Sequence, residues 1–130
     1  MLELADQEFA YLVTQGLMDI PERFRRQLNN VVVVWAEEPS PEQLRQTNLK
    51  RGQALFGLYE GVPQISRGAG YSGLPDKITI FKKAILNSCN SLAEVREQVA
   101  ETVWHELAHH FGSSEQRVRN AQHRRRLRRS

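Results

Sequence analysis

A chain of 130 residues, 40% hydrophobic and 25% charged, carries one domain's worth of core and an ordinary globular surface. No apolar run reaches the length of a membrane span, and the start Met1-Leu2-Glu3-Leu4-Ala5-Asp6 lacks the basic and apolar regions of a signal peptide. A lone cysteine, Cys89, makes neither an internal disulfide nor a thiolate metal site, so the expectation is an intracellular, cytoplasmic protein and not a disulfide scaffold, a membrane protein or a multidomain enzyme.

The net charge of +3 hides an asymmetry: residues 117–130 hold seven arginines and no acid. The other eleven basic residues face all fifteen acids in residues 1–116, which leaves the body at −4 and the tail at +7. The expected division is therefore a domain over 1–116 and an arginine-rich tail over 117–130. Such a tail can contact nucleic acid or another anion, but it has no aromatic residue on which to stack a base. A solvated end is the simpler expectation.

In chain order, residues 6–18 read as an amphipathic helix, with Phe9, Leu12, Val13, Leu17 and Ile20 on one face. Pro21 opens a short second helix that runs to about Leu28. Val31-Val32-Val33-Val34-Trp35 follows as a strand, and its unbroken apolar character predicts burial on both faces. Ser40-Pro41-Glu42-Gln43 has the grammar of a helix start. Residues 53–60 predict a second strand and Lys77–Phe81 a third. Between them Gly68 to Gly73 spells G-x-G-x-x-G, but no strand runs into it and Leu74-Pro75 follows where a helix should begin, so it is a loop rather than a dinucleotide site. Ser91-Leu92-Ala93-Glu94 is a capping box that opens the longest helix, which runs to about Phe111 and stops at Gly112. Its stripe Leu92, Val95, Val99, Val103 and Leu107 must lie on the sheet. Ser113-Ser114-Glu115-Gln116 repeats a cap-like pattern. Helices flanking about three strands make a small α+β domain, with the sheet packed against that last long helix.

Inside this helix His105-Glu106-Leu107-Ala108-His109 is H-E-x-x-H. Four residues of helix turn about 400°, which sets His105 and His109 some 40° apart on one face, where two imidazoles can share a metal ion. Glu106 lies about 100° round from His105, beside the ion's open position and suited to take a proton from water. The alternative is a solvent-facing polar stripe. His110 falls towards the packing face and reads as a hydrogen-bonded histidine rather than a ligand, and His123 reads as exposed. A catalytic zinc uses three protein ligands. Gly112 permits a sharp turn and Glu115 returns a carboxylate ten residues after His105, so the expected metal set is His105, His109 and Glu115, with Glu106 as the catalytic base.

The complete string, H-E-x-x-H-x-x-G-x-x-E, resembles the extended signature of zincin metallopeptidases, in which a glycine turn precedes a third His or Asp ligand. The chain as a whole resembles the small bacterial zincin-like family of minimal metalloproteases. The likeness rests on the valine strand after Asn30, Gly57 to Pro63, Leu74 to Ile80 and His105 to Gly112, and covers about residues 6–116. It implies a compact zincin-like domain that binds zinc and cleaves a peptide or protein substrate. Glu115 stands where that family usually has Asp. Tyr59, Glu60 and Tyr71 are cleft candidates, through the resemblance or through loop exposure. Two readings stay open beside the enzyme: a metal-binding or interaction protein that keeps the fold without turnover, and an interaction protein that uses the arginine tail. A carboxylate at 115 that misses the metal, or a cleft blocked by the loop 64–73, would favour them.

Overall fold

A computed structural model of the chain describes residues 2–47, 49, 54–61 and 74–110. Helix α1 (Asp6–Met18) is followed by the single turn α2 (Glu22–Arg25) and a 3-10 turn over Arg26–Asn30. Strand β1 (Val31–Ala36) leads to the short α3 (Pro41–Arg45). Strands β2 (Gly57–Glu60) and β3 (Asp76–Phe81) precede α4 (Lys82–Ser88) and the nineteen-residue α5 (Leu92–His110). The sheet has the order β1-β3-β2, with β1 parallel and β2 antiparallel to β3. This is the expected α+β architecture, with α1 and α5 packed together on one sheet face.

The caps form as their chemistry requires. Gln43 N–H donates to Ser40 Oγ at 3.1 Å while Ser40 N–H donates to Gln43 Oε1 at 2.9 Å, a reciprocal box that opens α3. At the start of α5, Glu94 N–H donates to Ser91 Oγ at 3.2 Å. The core joins Phe9, Leu12 and Val13 of α1 to Ile78 and Ile80 of β3 and to Val95, Val99, Val103 and Leu107 of α5. Phe9 meets the Trp35 ring edge-on at 5.4 Å. Helices α1 and α5 approach so closely at Gly16 that a Cβ there would lie 2.9 Å from both Arg96 O and Val99 Cγ1. Beyond that contact Arg96 grips Asp19 with two hydrogen bonds of 2.6 Å.

Several details differ from the expectation. Strand β1 is not buried on both faces: Val32 and Val34 are 43% and 41% exposed, whereas Val31, Val33 and Trp35 pack on the core. The reason is position. β1 is an edge strand, and α1 and α5 cover only the face to which its odd-numbered residues point. The second strand is shorter than 53–60, beginning at Gly57, although Phe56 C=O already accepts from Phe81 N–H at 2.9 Å. α4 follows β3 without a break and has no cap signal of its own, its N-cap position being Phe81 with no side-chain bond. Leu92, the first residue of the expected α5 stripe, is 51% exposed because it lies at the helix start, beyond the reach of α1. The loop 64–73, the boundary at 116 and the tail 117–130 lie outside the described residues, as do Tyr71, Glu115 and His123. Among the described residues no helix is long and apolar enough to cross a membrane.

Candidate metal centre and its supports

α5 carries three parallel stripes, each made of residues four apart. Val95, Val99, Val103 and Leu107 are fully buried and face the core. Gln98, Thr102, Glu106 and His110 run beside β2. Glu101, His105 and His109 form the third stripe. Each stripe persists because four residues fall only some 40° past one helical turn.

The middle stripe meets β2 at successive points. A Cβ on Gly57 would lie 2.6 Å from Thr102 Cγ2, so only glycine lets the strand come this near the helix. One turn on, Glu106 Oε1 accepts the Tyr59 backbone N–H at 2.9 Å. The ladder explains why that N–H is available. Phe81 N–H bonds to Phe56 C=O, so residues 56, 58 and 60 pair with β3, and the amides of Gly57 and Tyr59 point away from it. After another turn the His110 ring lies flat on the Tyr59 ring, with centroids 3.9 Å apart and planes 12° from parallel. Tyr59 Oη in turn donates to Asp76 Oδ2 at 2.6 Å, and His110 Nε2 stands 3.9 Å from the same oxygen.

His105 and His109 fall where the spacing predicts. Their rings are 4.3 Å apart at an interplanar angle of 39°, half-buried and exposed respectively. Burial pushes the Glu106 carboxyl above the usual glutamate range, partly offset by the Tyr59 N–H and by nearby His109. A cleft of about 350 Å³ opens beside the pair, walled by Leu55, Phe56, Glu101, Thr102, His105 and Glu106. That is near the lower end of ligand-site volumes. Among the described residues no third His, Cys, Asp or Glu joins the pair to form a metal-holding group. Glu115, the expected third ligand, lies outside them.

The structure thus brings together His105, Glu106 and His109 and adds Tyr59 by its backbone. Glu60 does not join them: it alternates to the opposite sheet face, where its carboxylate accepts from Gln43 Nε2 at 2.9 Å and stands 3.9 Å from Lys77 Nζ. His110 is half-exposed on Tyr59 rather than turned to the core, because it belongs to the 98-102-106-110 stripe. Asp76 lies in the Leu74 to Ile80 stretch that carries the family likeness, but no role for it follows from the sequence. An acid at a strand start reads as a turn residue, and its bond from the Tyr59 hydroxyl is visible only in the structure.

Two comparisons bear on this geometry. The family model of zincin-like metallopeptidases matches residues 28–125, a stretch that includes the whole H-E-x-x-H helix, Glu115 and part of the arginine-rich segment. The fold is similar to that of a conserved hypothetical protein from Thermus thermophilus, with a TM-score of 0.51 and 25% identity over 82% of this chain and 94% of the other. No curated protein matches the chain.

Proposed function

The chain belongs to the zincin-like metallopeptidase family, and from that premise we propose that it is a zinc-dependent peptidase whose chemistry is carried by the last two turns of α5. The observation that supports this is the convergence of the His105 and His109 rings, 4.3 Å apart, next to a carboxylate fixed by a strand amide. Two neutral imidazoles on one helix face fit zinc, which favours nitrogen donors and four-coordination. In this reading Glu115 supplies the third ligand from beyond the helix. The chemistry the ion contributes when bound is Lewis acidity, which polarises the scissile carbonyl and lowers the pKa of water toward ~7.

The protein's own part is orientation and proton transfer. The Tyr59 amide holds one oxygen of Glu106, and the other takes the proton of the attacking water and passes it to the leaving amine nitrogen. A raised pKa suits both halves of that cycle, since a base must also release its proton as an acid. The cleft lined by Leu55 and Phe56 has room for a short stretch of peptide beside the base.

The test is metal analysis of protein purified without chelator or nickel resin, paired with cleavage of a short-peptide library. About one zinc per chain is expected, lost in His109→Ala while the helix persists by circular dichroism. Folded wild-type protein that takes up no zinc at micromolar free ion would overturn the proposal. Stoichiometric zinc without cleavage of any peptide would favour the metal-binding reading over the enzyme.

A further inference from the structure

Tyr59 touches the candidate site in two ways that no motif assigns. Its backbone N–H holds Glu106 at 2.9 Å, and its ring carries His110, the last residue of α5, in a parallel stack at 3.9 Å. Behind the ring its hydroxyl is tied to Asp76 Oδ2 at 2.6 Å. Asp76 is buried at the start of β3, the central strand of the sheet, so the hydroxyl has a fixed partner. A hydrogen bond this short to a carboxylate belongs to the strong, charge-assisted class.

From these contacts we infer that Tyr59, braced by Asp76, is a positioning residue: its ring and His110 clamp the last turn of α5 against β2, so that His109 and Glu106 keep a fixed orientation. The inference rests on the metallopeptidase reading and adds residues that touch neither substrate nor ion.

Three features of the molecule carry it. A ligand at 109 keeps its orientation only as firmly as the helical turn that carries it is held. His109 and His110 both lie in that turn, and His109 is itself exposed, so its own packing does little to hold it. The clamp is also cross-linked to the base: Glu106 and His110 are one turn apart on the same stripe and both end on Tyr59. Motion of Tyr59 therefore moves both together. Finally, the contact is ring on ring, so the role asks for a flat ring at 110, which separates it from metal ligation.

The experiment compares wild type, Tyr59→Phe, Asp76→Asn, His110→Ala and His110→Phe as full-length proteins. Zinc affinity is read by competition with a chromophoric chelator, coordination by the visible spectrum of the cobalt(II) form, and the fold by thermal melting, with the binding measurements made well below the melting temperature. Residues that orient a metal ligand typically cost about 10–100-fold in affinity when lost. His110→Ala is expected to weaken zinc by that order and alter the cobalt spectrum, while His110→Phe, which keeps a flat ring, restores most of both. Tyr59→Phe and Asp76→Asn, which free the ring, should fall between.

His110→Ala that binds zinc as wild type does, with an unchanged cobalt spectrum, overturns the clamp. So does His110→Phe as weak as His110→Ala, which would make the imidazole itself the working group. Amide exchange of the metal-free proteins provides an arm that does not depend on zinc. The amides of Tyr59 and residues 107–110 should exchange faster in His110→Ala and recover in His110→Phe. If wild type binds no zinc, the metallopeptidase reading fails, and this exchange pattern alone decides the clamp: unchanged exchange in His110→Ala sinks it.

Discussion

Glu106→Gln separates the work of the base from its effect on the fold. Glutamine keeps the size and an oxygen that can accept the Tyr59 N–H, so the 2.9 Å contact survives and only the charge and the basicity go. General-base loss typically costs about 10²–10⁴ in rate, or about 3–5 kcal/mol of transition-state stabilisation. Zinc should stay bound, because the carboxylate is assigned to water and not to the ion. Stability of the metal-free protein should move the other way. Burial, the largest influence on this carboxyl, raises its folded pKa above the unfolded value, so the native state holds the proton more tightly than the unfolded chain. The wild type then loses stability as pH rises from the ordinary glutamate range through the folded pKa, and the variant lacks that step. At neutral pH metal-free Glu106→Gln should melt at or above wild type, with the gap closing as the pH falls below that range. Melting curves of chelated protein between acid and neutral pH, zinc competition and cleavage of a fluorogenic peptide measure the three effects. A variant that retains cleavage removes Glu106 as base. One that melts below wild type at neutral pH shows that the charged carboxylate is stabilised in place and that the desolvation argument is wrong.

Two substitutions test the close approaches that set α5 in place. Gly16→Ala puts a Cβ 2.9 Å from Arg96 O, a backbone atom that cannot step aside. Overpacking of about 1–3 kcal/mol outweighs the helix-propensity gain of up to ~1 kcal/mol, so the melting temperature should fall by several degrees, and an unchanged value would show that the helices part freely. Gly57→Ala meets Thr102 Cγ2 at 2.6 Å and should destabilise by a similar ~1–3 kcal/mol while weakening zinc binding. Thr102→Ser removes that methyl and should recover much of the loss, and no recovery in the double variant would place the strain at Thr79 O instead.

What can be read from the sequence is whatever local chemistry dictates. The caps at Ser40 and Ser91, the α1 face and the His105–His109 pair follow from spacing alone, because each depends on residues within one or two turns. β1 departs from its expected burial for a non-local reason: a run of valines looks the same whether two faces are covered or one, and its place at the sheet edge is settled by β3, more than forty residues later in the chain. α4 has no cap and draws its order from burying Ile85 and Leu86, so no local signal announces it. The Tyr59–Asp76–His110 contact joins three segments; the family likeness covers these residues without pairing them, and by spacing His110 shows only as part of the polar stripe at 98, 102, 106 and 110. The wheel that isolates His105 and His109 also contains that stripe, but polarity alone reads as solvent exposure until a strand is known to run beside it.

The third ligand is a question that helix geometry narrows. Glu101 shares a stripe with His105 and His109 and walls the same cleft, which makes it the obvious rival to Glu115. Along a straight helix, however, residues eight apart are about 12 Å apart in rise, whereas ligand bonds to zinc are near 2.0–2.2 Å. An ion centred between His105 and His109 sits about 3 Å along the axis from each Cα level and about 9 Å from that of Glu101, more than a glutamate leaning back towards the N-terminus can span. On the proposed reading the third donor then comes from the sequence that follows α5. Glu115 is the only acid in the sequence after Gly112, a residue type that permits a turn. Glu115→Ala should therefore weaken zinc and peptide cleavage together, and Glu115→Asp should keep both in part, since it shortens the reach by one methylene without changing the donor. Glu101→Gln should leave zinc affinity near wild type. Zinc held as tightly by Glu115→Ala as by wild type, or lost on Glu101→Gln, would refute this assignment and move the third ligand elsewhere.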